Sequence, residues 1–282
     1  MHTDLECLRS AVSDRYDVRH ELGSGGSSVV IRARDRQDGR VVAIKVLLPM
    51  ISASMGVERF LREIQIMRQL RHRNILQILD AGAAQGLIYY VMPYVSGPSL
   101  RDRLDDQGLF PIPQALVVAR AAANALDYAH AHEVVHRDIK PENVLFDGRR
   151  AKLNDFGIAI AMSKSASERI TEPGLVLGTA AYMSPEQAYG DVELDGRSDE
   201  YGLGCIVYEM LCGEVPFTGM TTTALMWRKV TARLPSLCGR GCDVPPEFDK
   251  VVAKSLARER SERFATAGDF VDALTEAWAN SN

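Results

Sequence analysis

The sequence predicts an α+β chain of two lobes: a small antiparallel β-rich lobe with one main helix, then a larger helical lobe. Three observations predict it. β-rich runs flank an Asp38-Gly39 turn within residues 16–48. Beyond residue 98 the apolar residues take helical spacing. Between the Ala-rich and central helical stretches lies "HRDIKPENVLF", residues 136–146, polar at its head and apolar on both flanks. Polar groups held between buried segments need partners, because each one left unsatisfied costs ~1–3 kcal/mol.

Taken in order, residues 1–15 read as a short helix or arm ahead of the first lobe. Strands are expected at "YDVRHEL", "SVVIRARD" and "VVAIKVLL", with the turn at Gln37-Asp38-Gly39-Arg40 joining the last two. Residues 55–71 carry apolar residues at helical spacing, and two more strands are expected near 75–82 and 87–95. Gly97-Pro98 breaks that pattern, setting the lobes at about 16–95 and 96–282. "PQALVVARAAANALDYAHAH" reads as an Ala-rich helix, with short strands at 144–147 and 151–154 beside the polar loop. "SDEYGLGCIVYEMLCG" is apolar almost all round, as a buried central helix should be, and two amphipathic helices close the chain.

At 282 residues, 46% hydrophobic and 25% charged, the chain can bury a sizeable core. A net charge of −4 gives no electrostatic ground for nucleic acid or an anionic membrane as partner. The first residues lack the apolar core of a secretory signal, and no uncharged stretch reaches the ~18–20 residues that span a bilayer. The five cysteines are scattered; Cys238 and Cys242 are the one close pair, with nothing to complete a metal set. Reduced thiols in the cytoplasm are the expectation.

Four motifs carry chemistry, each with an ordinary alternative. "LGSGGSSVV", residues 22–30, lies between two strands and lacks both a Walker lysine and a following helix. It is a plain hairpin loop or a flap that folds over nucleotide phosphates. Lys45 ends Val42-Ala43-Ile44-Lys45 on a strand face shared with Ala43 and Leu47; alone it is a snorkelling surface lysine. The stripe Phe60, Glu63, Met67, Leu70 puts a carboxylate among apolar residues, and Lys45 is a plausible counter-charge. Asp155-Phe156-Gly157 presents a carboxylate at a strand end, suited to Mg²⁺. The loop from His136 offers Asp138 as a base, Lys140 as a cation and Asn143 as a neutral oxygen ligand.

Singly these are common, but their order is not. The Gly loop, V-A-I-K, a helical Glu, H-R-D with Asn five residues past the Asp, D-F-G, then Ser184-Pro185-Glu186 follow one another over residues 16–278. The series resembles the protein kinases, in particular the bacterial eukaryotic-like (Hanks-type) serine/threonine kinase catalytic domain. The resemblance implies the bilobal kinase fold over 16–282 with the ATP cleft between lobes. It also implies ATP and Mg²⁺ as cofactors, and proteins with Ser/Thr hydroxyls, the chain itself included, as partners.

Residue by residue, it implies that Leu22, Gly23, Ser24, Gly25, Gly26, Ser27, Ser28, Val29 and Val30 form the flap. Val30, Ala43 and Leu145 would cover the adenine, with Met92, Pro93 and Val95 at the hinge. Pro93 retains the carbonyl needed there and lacks only a donor. Lys45 would hold phosphates and pair with Glu63, Asp138 would accept the substrate proton, and Lys140 would steady the phosphoryl group. Asn143 and Asp155 would hold Mg²⁺, and Thr179 would meet Asp138 and Lys140. Lys140 fits the Ser/Thr form of the loop. Asp199 resembles the helix residue that anchors the catalytic loop, and Glu186 and Arg263 a buried ion pair. Ser28 departs from the third flap glycine, Ser184 from the usual Ala, and Ile160 stands where a basic residue is common. Within 155–186, Thr171 is the favoured autophosphorylation site, with Arg137 and Arg59 as cations for its phosphate. The competing functions are a pseudokinase binding or scaffolding module and, more weakly, a small-molecule kinase.

Overall fold

The computed structural model describes residues 8–25, 28–47, 57–84, 86–156, 177–191 and 193–281. The chain divides into two compact units that meet in sequence at Ser96 and Gly97.

The first unit is a five-stranded antiparallel sheet in the order β1-β2-β3-β5-β4: β1 Tyr16–Ser24, β2 Ser28–Asp35, β3 Val41–Leu47, β4 Asp80–Ala84 and β5 Leu87–Pro93. Its one long helix among the described residues is α1, Val57–Met67. The β2–β3 turn closes as Asp-Gly predicts: Gly39 takes φ +75°, a conformation that disfavours any side chain, and its N–H donates to the Asp35 carbonyl at 2.9 Å. The strand period of two sorts the side chains into faces. Ile31, Ile44 and Val91 lie opposite one another on one face, as do Ala33 and Val42, and this face forms the core. Residues 8–12 are helical, and Leu8 and Val12 are buried in that core, so this segment is a packed part of the unit. The strand expected near 75–82 begins only at Asp80. Leu70, Ile75, Leu76 and Ile78 are all buried there without a period of two, because the run fills space beside the sheet rather than lying half-covered in it.

The second unit is helical apart from the two-stranded β6 (Val144–Asp147) and β7 (Arg150–Leu153). Its helices are α2 Leu100–Gln107, α3 Ile112–His130, α4 Leu177–Ala180, α5 Pro185–Tyr189, α6 Gly196–Cys212, α7 Thr222–Thr231, α8 Pro246–Ser255 and α9 Ala267–Ala279. Every residue of α6 from Ser198 to Leu211 is buried, as its uniform apolarity predicts, and α3 packs on both α6 and α9. Sequence periodicity missed α2, whose residues "LRDRLDDQ" are too polar to show it. Its start is instead set by a capping box, with Asp102 N–H donating to Ser99 Oγ at 3.1 Å and Ser99 N–H to Asp102 Oδ2 at 2.7 Å. Gly202 lets the loop from His136 approach α6: a Cβ there would lie 2.8 Å from Ile139 Cβ. No helix among the described residues is long and apolar enough to cross a membrane.

Candidate active site

In the first unit the β2–β3–β5 register places Val30, Lys45 and Tyr90 opposite one another, and Arg32, Ala43 and Met92 beside them. These occupy the face opposite the core, so Val30 and Ala43, expected against adenine, and Met92, expected at the hinge, share a surface with Lys45. Ala43 and Met92 are buried, while Lys45 is partly exposed. The flap begins with Gly23 opposite Val30 and Ser24 opposite Val29, and Gly25 N–H donates to the Ser28 carbonyl at 2.8 Å. Leu22 is exposed and Ser28 buried; Gly26 and Ser27 lie outside the described residues. A Cβ at Gly23 or Gly25 would meet nothing within 4 Å. On α1 the buried stripe is Phe60, Ile64 and Met67, with Glu63 half-buried at its edge. Pro93 ends β5, with the half-buried Val95 two residues beyond.

In the second unit the loop from His136 is built around two buried anchors. Asp199, 1% exposed, accepts the backbone N–H of His136 at 2.7 Å and of Arg137 at 2.6 Å, and its Oδ2 lies 2.7 Å from His130 Nε2. Burial works against a charge on His130, but the Asp199 carboxylate outweighs it and raises the pKa above the usual imidazole value. The anchoring carries Arg137 into the left-handed region, at φ +67°. The His136 ring is the second anchor: its Nε2 N–H donates to the Asn154 carbonyl at 2.8 Å, and its Nδ1 accepts Asp138 N–H at 3.3 Å. That ring also packs against Phe156 of the D-F-G motif, with centroids 4.4 Å apart and the planes tilted by 50°.

These constraints deliver the polar residues together. Lys140 Nζ lies 2.8 Å from Asp138 Oδ2 and donates to Thr179 Oγ1 at 3.3 Å. Asn143 Nδ2 donates to the Asp138 carbonyl at 2.7 Å and to its Oδ2 at 3.0 Å, which turns the Asn143 side-chain oxygen away from Asp138. Asn154 N–H donates to the Asn143 carbonyl at 2.9 Å, fixing the start of β6 against the segment that leads to Asp155. Asp155 itself takes φ +60°. Leu145, between buried Val144 and Phe146, points the other way and pairs in a bridge with Ser99.

The structure adds contacts that the sequence did not announce. Gln187 Nε2 donates to the Arg137 carbonyl at 2.7 Å, tying α5 to the loop. Arg101 Nη2 donates to Tyr182 Oη at 2.6 Å and to Glu209 Oε1 at 2.9 Å, with Glu142 3.5 Å from its Nε. A glutamate inside the apolar run of α6 was the available signal for Glu209; nothing local marks Arg101. Glu186 and Arg263 form a bidentate pair at 2.7 Å, as expected. Burial alone would raise the Glu186 carboxyl, but Arg263 holds it below its usual value. Gly157, Ile160, Thr171 and the serines at 163, 165 and 167 lie outside the described residues, as does the Arg59 side chain.

The protein kinase domain model matches residues 16–278. The chain belongs to the protein kinase domain family. Among its relatives, this kinase domain is 40% identical to serine/threonine-protein kinase PknB of Mycolicibacterium smegmatis, over 92% of this chain and 42% of that protein. It is 38% identical to serine/threonine-protein kinase PknL of Mycobacterium tuberculosis, over 95% of this chain and 68% of that one. Its fold matches the crystal structure of the Mycobacterium tuberculosis PknI kinase domain with TM-score 0.74 and 27% identity, covering 93% and 96% of the two chains. The kinase domain thus spans about two-fifths the length of the PknB relatives it matches.

Proposed function

We propose that this chain transfers the γ-phosphoryl group of ATP to Ser and Thr hydroxyls of proteins, with Mg²⁺, in the cytoplasm. One observation carries the reading: Asp138 is held through Oδ2 by both Lys140 and Asn143, with the Thr179 hydroxyl on the same lysine. That arrangement leaves Oδ1 of Asp138 to accept the acceptor hydroxyl's hydrogen bond and then its proton. Lys140 offers a cation at the transferring group, and Lys45, supported by Glu63, takes the nucleotide phosphates. The names of the relatives and the lysine of "HRDIKPEN" support Ser/Thr as the acceptor class. No observation favours the scaffolding module, since Lys45, Glu63, Asp138, Asn143 and Asp155 are all present.

The donor set fits magnesium. Among the described residues no group of three or more His, Cys, Asp or Glu could hold a metal by itself. Mg²⁺ characteristically binds through one or two protein oxygens and substrate phosphates, and the free Asn143 oxygen and Asp155 supply such a pair. When bound it neutralises phosphate charge. For autophosphorylation, Thr171 is the favoured site. Arg137 supports this, because its buried Nε has no partner among the described residues and suits a phosphate.

The test is phosphorylation of a Ser/Thr peptide by purified protein with labelled Mg·ATP, beside Asp138→Asn. Turnover should fall by about 10²–10⁴-fold while stability stays within ~1 kcal/mol. An active Asp138→Asn variant, freed of contaminating kinase, overturns the assignment.

A further inference from the structure

Helical spacing turns Leu225, Met226, Lys229 and Val230 of α7 to one side, and all four are buried. A lysine thus stands in an apolar stripe, 2% exposed, while Trp227 of the same helix is 67% exposed. Burial of apolar surface alone favours the reverse, since taking an ammonium out of water costs several kcal/mol. Among the described residues no carboxylate pairs with Lys229. Its Nζ instead donates to the Ala181 carbonyl at 2.7 Å. It also lies 5.1 Å and 5.9 Å from the ring centroids of Tyr201 and Phe217, whose faces attract a cation.

Ala181 belongs to a segment that reaches the reacting groups. Two residues earlier Thr179 Oγ1 accepts Lys140 Nζ at 3.3 Å, and Lys140 lies 2.8 Å from Asp138 Oδ2. One residue later the Tyr182 hydroxyl donates to Glu209 Oε2 at 2.5 Å and accepts Arg101 Nη2 at 2.6 Å. The segment is therefore tied at Thr179 to the catalytic loop, at Ala181 to α7, and at Tyr182 to α6 and α2. The tie at Ala181 holds the main chain itself. An acceptor peptide whose hydroxyl reaches Asp138 runs past this segment, because successive residues of an extended chain are only ~3.3 Å apart.

On the Ser/Thr kinase reading, on which this rests, we infer that Lys229 is a positioning residue for the acceptor peptide. From α7 it holds the Ala181 main chain in place, and so sets how tightly a Ser/Thr peptide binds beside Asp138. Lys229 is none of the groups assigned to the nucleotide or to proton transfer, so it acts on peptide binding and not on the chemical step. A hydrogen bond from an ammonium is stronger than one between neutral groups, which suits it to fixing a carbonyl. Its net contribution to stability is small by comparison, because the cost of burying the charge offsets the bond.

Lys229→Met keeps an unbranched side chain of similar volume and removes the donor. Initial rates on the full chain with a Ser/Thr peptide and Mg·ATP should show the peptide KM raised about 10-fold, with kcat and the KM for ATP within about threefold of wild type. Lys229→Arg, which keeps a donating cation, should return the peptide KM to within about threefold. Tm of Lys229→Met should stay within about 3 °C of wild type, and amide hydrogen exchange without nucleotide should quicken over residues 178–183. A collapsed Tm with unchanged peptide KM marks a merely structural lysine and overturns the inference, as does an equal rise of KM in both variants. A wild type that phosphorylates no peptide overturns the kinase reading instead. The exchange comparison still decides the tie in that case, and unchanged protection over residues 178–183 overturns it.

Discussion

Asp199 and Glu200 are neighbours on α6, carry the same chemistry and are equally buried, at 1% and 0% exposure, yet they meet opposite surroundings. Asp199 faces the catalytic loop and accepts two backbone N–H groups beside His130. Glu200 faces the Glu186–Arg263 pair, and neither of its carboxylate oxygens has a hydrogen-bond partner among the described residues. Arg263 has none to spare: its five N–H groups go to both Glu186 oxygens and to the carbonyls of Arg197, Ala257 and Arg258. Burial consequently drives the Glu200 carboxyl well above its usual range and favours its neutral form. Burial by itself therefore does not decide what a carboxylate does; the supply of donors does. Where a loop turns its backbone toward the charge, the charge organises the loop.

The largest expected effect comes from removing the organised member. Asp199→Ala strands two buried N–H groups and His130, and should cost ~3–5 kcal/mol with at least ~100-fold lower turnover. Urea unfolding and a peptide assay normalised to folded protein check it. Full turnover per folded molecule would mean that the anchor does not shape the catalytic loop.

Glu200→Met tests the other side with the opposite sign. Deleting an unpartnered buried carboxyl should stabilise the fold by about 1–3 kcal/mol at pH 7.5 and leave peptide turnover within about twofold. A destabilised variant would show that Glu200 has a polar role. The same residue sets a pH trend. Its folded pKa is raised, so above the unfolded value of ~4.5 the unfolded chain holds fewer protons than the folded one. Stability then falls as pH rises toward the folded pKa, by up to ~1.4 kcal/mol per pH unit. Urea midpoints from pH 5 to 8 should fall less steeply in Glu200→Met than in the wild type.

The smallest effect belongs to His130, whose folded pKa is raised by Asp199 against the cost of burial. Its charge contribution is fully present below the unfolded pKa of ~6.5 and is lost as pH rises through the higher folded value. The stability gap between wild type and His130→Gln should narrow with increasing pH above 6.5. A gap independent of pH would mean that the imidazole is neutral beside Asp199.

Much of the site was legible because kinase chemistry demands particular residue types at short spacings. Asp138, Lys140 and Asn143 lie within six residues, and one loop carries them to hydrogen-bonding distance of one another. The β2–β3 hairpin was equally legible, since Asp38-Gly39 writes its turn locally. Legibility failed where the information is not local. The polar helix α2 depends on its cap, and the run from Leu70 to Ile78 is apolar because of what it packs beside. The partners of Arg101 come from segments up to 108 residues away.

The sequence by itself determined the two-lobed order of elements, the buried character of α6 and the roster of chemistry-bearing residues. Each follows from local rules of periodicity, turn chemistry and spacing. Only the tertiary structure decided which of two adjacent glutamic and aspartic acids would organise the loop. The reason is that a side chain's partner is set by the packing of whole elements: α6, buried from Ser198 to Leu211, brings Asp199 to the backbone N–H groups of His136 and Arg137 and leaves Glu200 without a donor among the described residues.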